Sequence, residues 1–221
     1  MADLRVAILP VTPFQQNCTF VWCAATERCA VVDPGGDVPT IRRVIDEHQA
    51  KVEKIVLTHG HIDHAGGAAE LAEALAVPIE GPHRDDRFLL DGLEQQGREY
   101  GLVGARAVTP DRWLDEGDTV TIGELVFAVY HCPGHTPGHI VLFNEAARFA
   151  LVGDVLFRGS IGRTDLPGGN HDALIRSIRE KLFPLGDDIS FICGHGPGST
   201  FGEERRTNPF VGDHSGTYAG R

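Results

Sequence analysis

The chain has 221 residues, 42% of them hydrophobic, and a formal net charge of −11. That apolar share supports a buried core and excludes a disordered chain, and the length fits one domain, 1–221, with no linker, repeat or low-complexity run inside it. So acidic a surface repels phosphate backbones, which excludes nucleic acid as the expected partner.

The start, MADLRVAILPVTPFQQN, has an apolar run broken by Pro10 and no basic flank. Neither a secretory leader nor a membrane span is expected, and the default location is the cytoplasm. Residues 4–9, 18–23 and 29–33 are short runs rich in Val, Ile and Phe, and predict strands. Residues 38–48 place Val38, Ile41, Val44 and Ile45 on one side of a helix, with Asp37 as N-cap and Pro39 in the first turn. A strand at 54–58 follows, then a helix at 65–77 with Leu71 and Leu75 four apart, stopped by Pro78. Residues 83–100 read as a polar helix weakened by Gly92. Strands at 125–131, 139–143 and 149–153 precede a helix at 171–182, where Leu174, Ile178 and Leu182 recur every four residues. A last strand spans 189–193. Several strands are apolar throughout, as strands covered on both faces are. Blocks of strands with helices interspersed fit two sheets packed face to face, helices outside, better than one doubly wound parallel sheet. The five cysteines, odd in number and without a C-x-x-C pair, read as reduced buried thiols.

The stretch THGHIDHAGG concentrates His59, His61, Asp63 and His64 directly after the strand ending at Thr58. His59 and His61 are two apart, so both lie on one side of an extended segment. Taken alone, Asp63 reads equally as an N-cap for the next helix. The same grammar recurs at three other strand ends: His135 after LVFAVYHCPG, Asp154 after FALVG and His195 after ISFICG. Chance placement of one His in a Gly-rich loop is ordinary; four tight positions plus three further strand ends are not. Five imidazoles and two carboxylates favour a borderline or moderately hard divalent cation. Seven donors exceed one tetrahedral ion but suit two ions sharing one carboxylate, with a bridging water or hydroxide. Two dications, two aspartates and a hydroxide leave such a site at about +1, which favours an anionic transition state. The other six histidines, His48, His83, His131, His139, His171 and His214, lack that placement and read as structural or surface residues.

THGHIDH resembles the T-H-x-H-x-D-H signature of the metallo-β-lactamase superfamily, and CPGHTPGH, LVGDVLFRGSIGRTD and ICGHGPGST resemble its later motifs in the same order. The resemblance covers roughly residues 4 to 200. It implies an α/β fold, the four-layer αββα sandwich, with metals at one edge. TPFQQNC and FRGSIGRTDLPGGN make the chain look most like the short bacterial glyoxalase II-like hydrolases. On that pattern His59, His61 and His135 hold one metal, Asp63, His64 and His195 the other, and Asp154 bridges them. The implied cofactors are two divalent ions, zinc in the usual case and iron or manganese in some members. The implied substrate is a small-molecule thioester, hydroxyacyl-glutathione, cleaved by a metal-bridging hydroxide that Asp63 orients or deprotonates.

Glyoxalase II enzymes of the longer type carry a helical domain after the last metal histidine, with basic residues for glutathione. Here 26 residues follow His195, too few for that domain, and Arg205 and Arg206 read as surface residues of a short helix. Hydrolase chemistry is therefore better grounded than glutathione recognition. Arg163 and Asp165 read as partners of each other. Two alternatives stay open: a persulfide dioxygenase binding one iron through His59, His135 and Asp154, and a non-enzymatic metal-binding protein.

Overall fold

In the computed structural model, which describes residues 3–214, the strands form two mixed sheets. The first has the order β1 (Leu4–Val11), β2 (Gln16–Cys23), β3 (Arg28–Val32), β4 (Lys51–Val56), β5 (Ile79–Glu80). Its first three strands pair antiparallel and its last three parallel. The second comprises β6 (Thr119–Ile122), β7 (Leu125–His131), β8 (Ile140–Asn144), β9 (Phe149–Gly153), then, past the small hairpin β10 (Leu156–Phe157) and β11 (Ser160–Ile161), β12 (Ser190–Cys193) and β13 (Ser199–Thr200). Its spatial order is β13-β12-β9-β8-β7-β6, with β12 parallel to β9 and the other neighbours antiparallel.

The continuous apolar runs follow from this layering. In β3, Cys29 and Val31 face the helices α1 (Val38–Glu47) and α3 (Ala68–Leu75), against Ile41, Ile45 and Leu71. Ala30 and Val32 face the opposite way, into the space between the sheets, where they meet Val120, Phe127, Val129 and Leu142. Likewise Val141 and Phe143 of β8 pack under α6 (His171–Arg176) and the turns after it, against Leu174, Ile178 and Leu182, while Ile140 and Leu142 point between the sheets. Each fully buried side chain of this size stabilises the fold by about 1.5–3 kcal/mol, so both faces of the central strands are committed to core. Four layers result, helix, sheet, sheet, helix.

Several expected boundaries move. Asp37 occupies the N-cap position of α1 but does not cap it with its side chain. Asp37 sits at φ 52°, in the left-handed region, with no side-chain cap bond, and its carboxylate accepts the Thr12 N–H at 2.7 Å instead. The 65–77 helix is two pieces, α2 (Ile62–Ala65) and α3, separated by Gly66 and Gly67. Residues 83–100 form a 3-10 turn at Arg84–Asp86, then α4 (Arg87–Asp91) and α5 (Leu93–Tyr100), parted at Gly92. The helix from 171 is α-helical to Arg176 and widens into a π turn over Ser177–Leu182. Strand β6 was not expected, although TVTI alternates and Gly123 follows it. The five cysteines are free and buried.

Candidate metal centre

The topology explains why distant residues meet. β3 runs parallel to β4, and β9 parallel to β12; β7 is antiparallel to β8, which is antiparallel to β9. So β7, β9 and β12 share one direction, and their C-terminal ends lie at one edge. Those ends carry His135, Asp154 and His195, and the segment after β4 adds His59 and His61. α2 then starts immediately after His61 and holds Asp63 and His64 in a single turn.

His59, His61 and His135 are buried and form one cluster. His61 Nδ1 lies 3.1 Å from His59 Nε2 and 2.9 Å from His135 Nε2. The backs of two rings are already engaged. Thr58 Oγ1 donates to Asp33 Oδ2 at 2.6 Å, which leaves it to accept from His59 Nδ1 at 3.1 Å. His135 Nδ1 donates to the Arg163 carbonyl at 2.8 Å. His59 Nε2 and His135 Nε2 are therefore lone pairs, both aimed at His61 Nδ1. One proton on His61 would satisfy only one of them, whereas a cation accepts all three. Burial, and then the neighbouring imidazoles, hold His59 and His61 neutral, His61 down to about 3; burial also lowers His135.

Asp63, His64 and His195 form a second cluster. His195 Nε2 is 3.1 Å from Asp63 Oδ2, and His64 Nε2 is 3.9 Å from the same oxygen. Their backs are fixed too. His64 Nδ1 donates to Asp33 Oδ2 at 2.9 Å and His195 Nδ1 to the Phe14 carbonyl at 3.2 Å. Burial works against a charge on His64, but Asp154 and Asp63 outweigh it and raise its pKa. The same balance between burial and the Asp63 hydrogen bond raises His195. For Asp63, burial is outweighed by His64 and His195, so its carboxyl stays below the usual range; Asp154 is likewise held down, by His64 above all.

Asp154 stands between the clusters. Its Oδ2 is 3.6 Å from His135 Nε2 and 3.6 Å from His195 Nε2. Its Oδ1 is 3.3 Å from His64 Nε2, yet the two are misaligned, and both buried atoms lack a hydrogen-bond partner. A carboxylate oxygen and an imidazole nitrogen facing each other, both buried and both orphaned, fit a site made for an ion. All seven residues singled out in the sequence are thus brought together, in two sets meeting at Asp154. Buried His and Asp clusters of this form are consistent with a dinuclear metal site.

The pattern of the metallo-beta-lactamase superfamily matches residues 11–195. The chain belongs to this superfamily. It is 43% identical over 213 residues to hydroxyacylglutathione hydrolase GloC of Haemophilus influenzae, covering 96% of this chain and 100% of that protein. Among solved structures, the B3 metallo-beta-lactamase BLEG-1 superposes with a TM-score of 0.86 at 33% identity, over 94% of this chain and 99% of that one. TTHA1623, in a di-iron-bound form, superposes with a TM-score of 0.83 at 36% identity, over 93% and 100%.

The metallo-beta-lactamase fold of this chain also recruits residues that the sequence pattern passed over. Asp33, at the end of β3, binds Thr58 and His64 at once, taking the Thr58 N–H at 2.7 Å as well as the two bonds above. It occurs among the donors near His59 and His64, but its oxygens are already filled, so it orients rather than ligates. His139, set aside as structural or surface, is fully buried and stacks on His59 with ring centroids 4.6 Å apart. Its Nε2 accepts the Asp154 N–H at 3.0 Å. The duplicated P-G-H of CPGHTPGH was the available signal. Asp86 ties two metal-bearing loops together: Oδ2 takes Gly60 N–H at 2.9 Å and the Thr136 hydroxyl at 2.7 Å, and Oδ1 takes Gly138 N–H at 2.5 Å. TPFQQNC has a mechanical role. Asn17 binds the His195 loop through its N–H to Gly194 O at 2.7 Å and its side chain to Cys193 O and Gly196 O, both at 2.9 Å. Arg163 grips Asp165 at 2.8 and 2.7 Å. Arg205 pairs with Asp187 and Arg206 with Glu203. Among the described residues, no helix is long and apolar enough to cross a membrane.

Proposed function

We propose that this metal-dependent hydrolase binds two divalent ions and cleaves a hydroxyacyl-glutathione thioester of the lactoylglutathione type. The observation that carries the reading is the complete second cluster, Asp63, His64 and His195, joined to the first through Asp154, whose Oδ2 lies 3.6 Å from both His135 Nε2 and His195 Nε2. His59, His61 and His135 would hold one ion, Asp63, His64 and His195 the other, and Asp154 both. Zinc suits this donor set, and the di-iron relative supports iron as the alternative. When bound, the ions supply Lewis acidity, lowering the pKa of a water and countering charge on the carbonyl oxygen.

The protein's own groups do the positioning. Asp33, Thr58, Phe14 and Arg163 each fix the distal nitrogen of a ligand ring, so the ligating nitrogens are set before substrate arrives. Asp63, the less enclosed of the two carboxylates, is placed to orient the attacking water. A thiol leaves as thiolate with a pKa of about 8.5, so expulsion asks less of a general acid than an amine would. Phe14, whose own backbone carbonyl holds His195, and Tyr100 are exposed and edge-to-face with centroids 5.9 Å apart. They offer an apolar wall for the substrate's acyl or glutathionyl group. The GloC relative, similar over its whole length, supports the substrate class.

The deciding test is thioester loss and thiol release from lactoylglutathione by protein carrying two metal equivalents, with elemental analysis alongside. Turnover is expected, and a reaction no faster than the metal-only control would overturn the reading. Oxygen uptake with glutathione persulfide at one iron per chain would indicate the dioxygenase instead.

A further inference from the structure

Outside the active edge, one other group of donors converges among the described residues. One ring nitrogen each of His83 and His131 and a carboxylate oxygen of Asp85 lie within 4.8 Å of one another. The two rings stack nearly parallel, with centroids 4.1 Å apart at 19°. Two imidazolium ions at that distance would repel, so at least one ring is neutral and offers a lone pair. Hydrogen bonds show how each ring nitrogen is engaged. His131 Nε2 donates to the Pro137 carbonyl at 2.7 Å, leaving Nδ1 bare. His83 Nε2 reaches Asp115 Oδ1 at 3.1 Å, while His83 Nδ1 only accepts a long 3.2 Å bond from Asp85 N–H. The Asp85 carboxylate, Oδ2, is 3.4 Å from that same Nδ1.

We propose that His83, His131 and Asp85 form a second, surface metal site that takes one borderline divalent cation of the zinc class, separate from the dinuclear cluster. Two imidazoles and a carboxylate are a zinc-type donor set. Asp85 is half exposed, so solvent can complete the coordination. Asp115 and Glu116 add negative charge nearby, and Lys181 offsets part of it by holding Glu116 Oε2 at 2.7 Å and the His131 carbonyl at 2.6 Å. Burial lowers the pKa of His131, which keeps the ring available as a neutral ligand.

The site's place gives it a role. His131 holds Pro137 O, and His83 N–H holds Gly138 O at 3.1 Å. Both anchor the loop that carries His135. An ion here braces that loop from behind without touching the reacting atoms.

The test starts from protein already holding two zinc equivalents, titrated with further zinc against a chromophoric chelator, with the melting temperature followed in parallel. Wild type should take one further equivalent, and its melting temperature should rise with it. His83→Ala and Asp85→Asn, both on a partly exposed turn, should lose that equivalent and the rise. His83→Ala should keep wild-type turnover at two equivalents. No third equivalent in wild type, or one that persists in both variants, would overturn the proposal. The stoichiometry is read whether or not the protein hydrolyses a thioester, so this site and the proposed reaction stand or fall separately.

Discussion

Asp33 Oδ2 accepts the His64 Nδ1 proton at 2.9 Å and the Thr58 hydroxyl at 2.6 Å, and that hydroxyl in turn accepts from His59. One carboxylate at the end of β3 thus sets the ring orientation of a residue in each cluster. Asp33→Asn keeps the volume but no longer demands the Nδ1–H tautomer of His64. Metal binding at Asp63, His64 and His195 should weaken by about 10–100-fold, read in a chelator competition titration, with hydrolysis falling in parallel. Unchanged affinity would remove Asp33 from this role.

Gly194 has a similarly local consequence. A Cβ there would lie 2.0 Å from Asp154 Oδ1 and 2.5 Å from His64 Cε1, nearer than any unstrained contact. Gly194→Ala must displace the shared carboxylate or the His195 loop. Loss of at least one metal equivalent is expected in a protein that still folds, measured by elemental analysis beside circular dichroism.

Asp86 bridges the loop of His59 and the loop of His135 through three donors. Asp86→Ala leaves those donors unpaired in a buried place and should cost about 2–4 kcal/mol in denaturant unfolding. Burial raises the Asp86 pKa from 3.8 to about 6. A pKa raised in the folded state contributes stability that is complete below about 4 and lost as pH rises through about 6. The stability gap between wild type and Asp86→Asn should therefore widen as pH falls from 7 to 4; a gap that narrows would contradict this.

The clusters should lose metal at different pH. Protons compete with ions for ligand nitrogens. His59, His61 and His135 have lowered pKa values and compete weakly, whereas His64 and His195 have raised ones and compete strongly. Dialysis at stepwise lower pH should show two equivalents falling first to one, then to none. His64→Ala, which leaves only the first cluster intact, should keep its single equivalent to the lower pH. Simultaneous loss in wild type would refute the ordering.

Tyr100 flanks Phe14 beside the His195 loop. If this pair lines the substrate's entry, Tyr100→Ala should raise KM several-fold, about 1 kcal/mol of lost apolar and edge-to-face contact, and leave kcat nearly unchanged. A fall in kcat at constant KM would place Tyr100 elsewhere in the reaction.

Much of this centre was legible in the sequence because metal donors are chemically distinctive and stand directly after strands. His59, His61, Asp63, His64, His135, Asp154 and His195 could be picked out by type and position. The residues that orient them could not. Asp33 follows a strand like Asp154, but only its three filled hydrogen bonds separate an orienting carboxylate from a bridging one. His139 looked like any loop histidine until the sheet placed it under Asp154 N. Asp86 lies in a polar segment whose helical reading drew attention to surface instead. Asp37 holds the N-cap position the sequence suggested, but a contact with Thr12, 25 positions away, takes the side chain that would have capped the helix.

The sequence by itself determined the donor set, the two-sided burial of the strands and hence the four-layer class, since side-chain chemistry and hydrophobic period are local properties. Tertiary structure decided how those donors divide. Parallel pairing of β3 with β4 and of β9 with β12 aligns the strand ends, and only then does Asp154 come to stand between two sets of imidazoles. It also brought together His83 and His131, 48 positions apart and individually unremarkable, because hydrogen bonds to one loop, at Pro137 and Gly138, draw both to the same place.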